Sequence, residues 1–412
     1  VLITDGRVAG VDSPGSFSAV NDAEIVDASG LLVTPGLVDI HVHLREPGFE
    51  WKETVATGGQ AAVAGGFTTV CCMPNTKPIN DTASVTEFIL EAAARANTAR
   101  VFPIGAITKG SKGEVLAPMD ELRTAGCVAF SDDGWPVANA GVMRKALEYS
   151  LLVGAKLTVH EEEPTLSKGF SMNESALSVR LGLQGMPGAA EDVMISRDIE
   201  LSRLTGAPLH FCHVSTARAV TLIRRAKEDG IPVTAEVAPH HLLLTERAVE
   251  GYNTAAKMSM PLRSEADCEA LIEGLSAGVI DCVASDHAPH ELDSKNVEFD
   301  KASFGILGLQ TTLPLILGLV RRGALTLPRA VEVLTSAPAS CLGLEQGTLR
   351  VGVPADVTLI DIERRQTLTK QVIRSKSKNT PFLGAELCGL AVRTYVGGRE
   401  VYRFHEEERS NA

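Results

Sequence analysis

The chain predicts an α/β protein: a (β/α)8 TIM-like barrel carrying a small β-domain built from both termini. Two observations carry that expectation. Eight short apolar, β-branched runs alternate with amphipathic helical stretches through the middle of the sequence. Turn-punctuated, β-rich segments occupy both ends, and neither is long enough to bury a core alone.

Residues 1–34 read as short strands broken at Asp5-Gly6, Ser13-Pro14-Gly15 and Ser29-Gly30. Their partner is the far end, where Gly347–Ile360 and Val392–Gly398 repeat the pattern. The expected small domain therefore joins residues 1–34 to 345–403 and flanks a catalytic barrel over 35–344. The barrel strands are expected at Val38–His43, Thr68–Cys72, Arg100–Ala106, Cys127–Ser131, Lys156–His160, Leu209–His213, Val233–Val237 and Val279–Ser285. Helices are expected between them, at Val142–Leu152, Asp192–Leu204, Ala217–Asp229 and Cys268–Ala277 among others. No solenoid repeat or low-complexity tract interrupts this order, and only the tail His405–Ala412 is expected to be disordered.

Composition narrows the function classes. Hydrophobic residues make up 44% and charged ones 22%, ordinary for a chain with a sizeable core. A net charge of −12 disfavours nucleic acid and anionic membranes as partners, while leaving the charge of a small substrate open. The eight cysteines form no CxxC pair and only Cys71-Cys72 are adjacent, so neither a disulfide framework nor a cysteine-type zinc site is expected. With no membrane-spanning run and no signal-like start, a cytoplasmic setting is the expectation.

The informative side chains lie where the runs end. His41 and His43 are one residue apart, so on a strand both rings point the same way. Neutral imidazoles converging like this suit zinc or another borderline divalent metal, although a lone HxH is equally a polar strand face. Later runs end alike: Asp132-Asp133 after the fourth, His160 and His213 at the fifth and sixth, Asp286 after the eighth. Barrel active sites lie at the C-terminal ends of strands, so His41, His43, Asp133, His160, His213 and Asp286 are expected to converge on a metal centre.

With these motifs in view, the sequence resembles the amidohydrolase superfamily, and within it the type I dihydroorotases. The resemblance rests on Asp39–Gly48 (DIHVHLREPG), Met73-Pro74-Asn75-Thr76, Phe130–Gly134 (FSDDG) and Asp286–His290 (DHAPH), and it spans essentially the whole chain. It implies two zinc ions per chain: His41, His43 and Asp286 on one, His160 and His213 on the other, with Asp133 and a hydroxide as bridges. Many superfamily members bridge with a carboxylated lysine, but the fourth strand here contains none. Asp132, its neighbour, is expected to turn away and cap the turn.

The resemblance further implies substrate contacts from His43, Arg45, Asn75 and His290, and from the Phe304-Gly305 loop. Arg45 offers a bidentate fork suited to a planar carboxylate. Relatives often carry Asn-Pro-Pro-Leu-Arg after the seventh strand; this chain reads Ser259-Met260-Pro261-Leu262-Arg263, and Ser259 keeps only a hydroxyl. His210, His240, His241 and His287 are expected in supporting roles. The implied activity is zinc-dependent, reversible cyclisation of N-carbamoyl-L-aspartate to L-dihydroorotate plus water, a step of de novo pyrimidine biosynthesis. Asp286 would be the catalytic acid–base. The implied assembly is a homo-oligomer, with aspartate carbamoyltransferase as a candidate partner. Two alternatives stay open: another cyclic amidase (a hydantoinase or allantoinase), or a catalytically silent subunit that scaffolds the carbamoyltransferase.

Overall fold

The computed structural model describes residues 1–13, 15–18, 20 and 23–405. Most of the tail expected to be disordered, residues 406–412, lies outside the described residues, as does Pro14 of the second expected turn. Eight parallel strands form one sheet in sequence order: β1 Leu37–Val42, β2 Phe67–Cys72, β3 Arg100–Gly105, β4 Ala129–Phe130, β5 Lys156–Val159, β6 Leu209–Phe211, β7 Val233–Val237 and β8 Cys282–Val283. All eight fall where the apolar runs predicted them. β4 and β8 are shorter than expected, but their ladder continues in single bonds, Val128 N to Pro103 O (3.0 Å), Ser131 N to Gly105 O (2.8 Å) and Ala284 N to Val237 O (3.2 Å).

The last strand meets the first without a regular ladder. His43 N donates to His287 O at 2.9 Å, in a single bridge between Val42 and His287. Below it, Ser285 N donates to the buried Asp39 carboxylate at 3.1 and 3.2 Å, and His41 N to the same carboxylate at 3.1 Å. Asp39 thus replaces missing backbone pairs at the seam.

Strands covered on both faces read as near-continuous apolar runs, because side chains alternate between two buried layers. One layer is the barrel interior: Val38, Ile40, Cys71, Met73, Ile104, Ala129, Cys212, Cys282 and Ala284. The helix Ser336–Leu342 closes its lower end with Ala339, Cys341 and Leu342. The other layer packs strands against the surrounding helices through Phe67, Phe130, Leu157, Phe211, Ala235 and their neighbours. Helix starts carry the side chains that satisfy free N–H groups, as in the Thr54–Thr57 and Ser264–Asp267 capping boxes. No helix among the described residues is long and apolar enough to cross a membrane.

An antiparallel sheet lies beside the barrel, in the order Arg399–Arg403, Glu386–Val396, Val357–Thr367 and Leu32–Pro35. The hairpin Leu2–Thr4/Arg7–Gly10 is a separate two-stranded sheet, turning on Asp5 and Gly6 at φ +50° and +74°, and bonded to the far segment through Val8 N to Val353 O (3.0 Å). Side chains of the larger sheet seal it to the barrel. Thr358 Oγ1 donates to Gly66 O at 2.7 Å and Thr394 Oγ1 to Val63 O at 2.8 Å. Arg100 of β3 grips the buried Asp356 with a fork of 2.8 and 3.1 Å, and Gly397 N adds a third donor at 2.7 Å.

Removing one partner of such a pair leaves a buried charge without its counter-charge. Since the Arg100 side chain is one-third exposed, the cost is discounted to about 2 kcal/mol. Asp356→Ala should lower the thermal midpoint by about 2 °C in differential scanning calorimetry. An unchanged midpoint would show that this contact does not join the sheet to the barrel.

Candidate active site

The six residues expected to converge do so at the C-terminal end of the barrel, and all six are buried. The route taken by β1 differs from simple alternation. Val38 and Ile40 face the barrel interior while Val42 and Leu44 pack outward, so the alternation slips by one residue before His41. The pairing of β1 with β2 shifts register over the same stretch, between Asp39 and Val42. An irregularity of this kind re-aims side chains. Here it turns both histidines inward. Past the strand ends, Arg45, His213 and Asp286 take left-handed backbone angles, φ +62°, +32° and +46°. Non-glycine residues pay for that conformation, and such strain gathers at functional sites.

Asp133 stands at the middle. Its Oδ1 lies 3.3 Å from His41 Nε2, 3.6 Å from His213 Nε2 and 3.8 Å from His160 Nδ1. Its Oδ2 lies 3.5 Å from His43 Nε2. Asp286 Oδ1 sits 3.1 Å from His43 Nε2 and 3.6 Å from His41 Nε2. On the far side, His160 Nδ1 and His213 Nε2 face each other at 3.0 Å. Asp132 turns away and accepts from Ile107 N and Thr108 N at 2.9 and 3.0 Å, which fixes the loop that holds Asp133.

Burial works against charge on Asp133, Asp286 and His41. Against that burial, His41 and its neighbours hold Asp133 well below the usual carboxylate range and draw Asp286 down to about 2. Burial also opposes a proton on His41, but Asp133 and Glu236 outweigh it and push the ring well above its ordinary value. His213 shifts the other way, lowered first by burial.

Above the centre lies a basic rim. Arg45 Nε donates to Pro289 O at 3.2 Å, and its Nη2 lies 3.3 Å from His290 Nε2. Lys52 Nζ lies 3.2 Å from the other ring nitrogen of His290. Asn75 is engaged at both ends of its amide: Oδ1 accepts from His43 Nδ1 at 2.9 Å and Nδ2 donates to Asp133 Oδ2 at 3.2 Å. Ser259 Oγ donates to Glu162 Oε2 at 3.3 Å rather than standing free. Phe304 stacks on Phe170 with ring centres 4.9 Å apart and covers the Lys257 ammonium at 4.5 Å. Gly305, at φ +145°, has no room for a side chain, because a Cβ would lie 2.7 Å from Ala288 O and 2.8 Å from His290 Cδ2.

Comparison with known proteins gives the family and the fold it shares. The Dihydro-orotase-like family profile matches residues 30–219, and an amidohydrolase family profile matches residues 275–402. A dihydroorotase of Anaeromyxobacter dehalogenans (strain 2CP-C) is 54% identical over 413 aligned residues, covering 100% of this chain and 94% of the relative. A dihydroorotase of Geotalea daltonii is 51% identical, covering 98% of this chain and 94% of its own. The chain belongs to the dihydroorotase family. Among solved structures, the L-hydantoinase (dihydropyrimidinase) of Arthrobacter aurescens superposes with a TM-score of 0.88 at 27% identity, over 98% of this chain and 92% of that one. The barrel with its flanking sheet is therefore shared beyond the dihydroorotase family.

Two carboxylates of this family member escaped the reading of its sequence. Glu236, on β7, binds His41 Nδ1 at 2.6 Å with one oxygen and His210 Nε2 at 3.1 Å with the other. Burial would raise Glu236, but His41 and His210 hold it far below the usual carboxylate range. Glu162 Oε2 binds His160 Nε2 at 3.0 Å. A carboxylate behind an imidazole fixes the ring's tautomer and angle and raises its basicity as a ligand. An acid inside an otherwise apolar strand was the available signal for Glu236; Glu162 sits in an acidic run with nothing to distinguish it. His210, buried, also binds Thr234 Oγ1 at 2.8 Å; His241 binds Met260 O at 2.9 Å; and His287 receives Gly308 N at 3.2 Å.

Glu236→Gln keeps the shape but can no longer hold a charge against His41. It should weaken metal retention by about 10- to 100-fold, measured by chelator competition. Wild-type retention would mean that Glu236 does not act through His41.

Proposed function

We propose that this chain catalyses the reversible ring closure of N-carbamoyl-L-aspartate to L-dihydroorotate and water, at a centre that holds two zinc ions. The observation that carries the reading is the position of Asp133 between two histidine pairs, with a cationic rim above. The donors present fit divalent cations. His41 Nε2 is buried, makes no hydrogen bond, and faces two carboxylate oxygens. Ligands held 2.0–2.1 Å from a shared tetrahedral ion stand about 3.3 Å apart, and the spacings around Asp133 and Asp286 cluster near that value. His41, His43 and Asp286 would hold one ion and His160 and His213 the other, with Asp133 contributing an oxygen to each.

Ions bound there would supply Lewis acidity, lowering the pKa of water toward neutrality and polarising the amide carbonyl. The remaining work falls to the chain. In ring opening, Asp286 accepts the proton of the attacking water and passes it to the departing ring nitrogen. Against burial, His41 and His43 favour its ionised form, the form that can accept a proton. In ring closure the same carboxylate takes the proton from the ureido nitrogen as the C–N bond forms and gives it to the oxygen that leaves the carboxyl carbon as water, whose second proton comes from solvent. Asn75 holds His43 and Asp133 at a fixed angle during both.

The rim supports a substrate bearing a carboxylate. Both ring nitrogens of His290 face cationic groups, Arg45 and Lys52. A neutral imidazole carries one N–H, so one of those contacts is donor against donor. A substrate carboxylate entering beside Arg45 would resolve that conflict with a charge-assisted pair. Hydantoin and allantoin offer no carboxylate, which separates this reading from a hydantoinase activity on the shared fold.

Assays of dihydroorotate, hydantoin and allantoin on one preparation test the substrate. Dihydroorotate should be preferred by orders of magnitude; preference for an uncharged ring would defeat the assignment. Asp286→Asn should lower kcat by about 10²–10⁴-fold, with metal content measured alongside. Undiminished turnover would misplace the acid–base.

A further inference from the structure

We propose that a second, basic cavity, on the outer side of the segment carrying His290 and Gly305, binds a nucleoside polyphosphate. The cavity encloses about 480 Å³ and is lined by Lys295, Lys370, Lys376 and Lys378, with Trp51 and His290 on its walls. None of the other residues at the candidate metal centre lines it. Four ammonium groups around one cavity are unexpected in a chain of net charge −12. Among the described residues none of these lysines has a carboxylate within ion-pair distance, and the one acid on the wall, Glu291, is faced by Lys52 at 3.8 Å.

Backbone carbonyls hold three of the four lysines in place without neutralising them. Lys295 Nζ donates to Ser303 O at 2.7 Å and Lys257 O at 3.4 Å, Lys376 Nζ to Glu50 O at 2.6 Å, and Lys378 Nζ to Ile373 O at 2.8 Å and Ser375 O at 2.5 Å. Each ammonium has three N–H groups, so donors remain for a ligand. Lys295 is buried. Burial, aided by the nearby Lys257 charge, pushes it down to about 7, as expected of an ammonium without a counter-ion. A multiply charged anion would relieve that cost and the mutual repulsion together.

Size and lining indicate more than a bare phosphate. A cavity of this volume is that of a small-molecule site. Trp51 is 55% exposed beside the exposed Leu292 and Leu383, giving a base an aromatic and apolar surface to cover. The cavity also has a mechanical link to the proposed substrate rim. Asn379, on its wall, accepts from His290 N at 2.9 Å and donates to Ala288 O and Gly305 O at 2.9 and 3.1 Å. An occupant would therefore bear on the segment that positions His290, and ligand binding should change the substrate KM.

Isothermal titration of the metal-loaded enzyme with ATP and with pyrophosphate tests the proposal. ATP should bind saturably and more tightly than pyrophosphate, and Lys370→Glu/Lys376→Glu should weaken it at least about tenfold. Basal turnover should persist in that variant, since neither lysine touches the centre. Should the double variant prove unstable, Lys370→Gln should weaken binding in the same direction. No saturable binding, affinity unchanged by these substitutions, or equal affinity for ATP and pyrophosphate would overturn it.

Discussion

Four imidazoles and two carboxylates, each buried and within 3.8 Å of another of the set, form the constraint on which the rest of this structure depends. Left alone, such a cluster crowds imidazoles and carboxylates where desolvation penalises each charged form. Cations placed among the donors turn the same crowding into coordination. The left-handed backbone at His213 and Asp286 and the register slip in β1 are local costs that the surrounding barrel sustains to keep those donors together.

Around this centre the fold supplies rigidity in layers. Glu236 and Glu162 fix His41 and His160 from behind, Asn75 ties His43 to Asp133, and Asp132 pins the loop below. Asp39 stitches the seam between the last and first strands directly beneath His41. The interior apolar layer and the helix Ser336–Leu342 fill the lower barrel, leaving the metal-ligand candidates gathered at the other end. The flanking sheet then clamps the turn between Val63 and Gly66, just ahead of β2.

Much of this was legible from the residues. The eight strand positions followed from apolar β-branched runs, and the six central side chains followed from their recurrence just past those runs. Asp132 and Asp133 divided as adjacent residues at a turn must, one capping the loop and one facing the centre. The rest depended on contacts that no local pattern encodes. Glu236 meets His41 across 195 residues of chain. The slip in β1 leaves the HxH spacing intact and so leaves no trace in it. The partners of Asn75 and Ser259, namely His43, Asp133 and Glu162, come from segments far apart in the chain. The lysine-lined cavity joins residues 295 and 370–378, whose charges in the sequence look like any solvated surface.

Anomalous diffraction at the zinc edge, from crystals of the metal-loaded enzyme, tests the central claim most directly. The account predicts two peaks per chain on either side of the Asp133 carboxylate, one bounded by His41, His43 and Asp286 and the other by His160 and His213. A single ion that does not touch Asp133, or no peak at this end of the barrel, would contradict it.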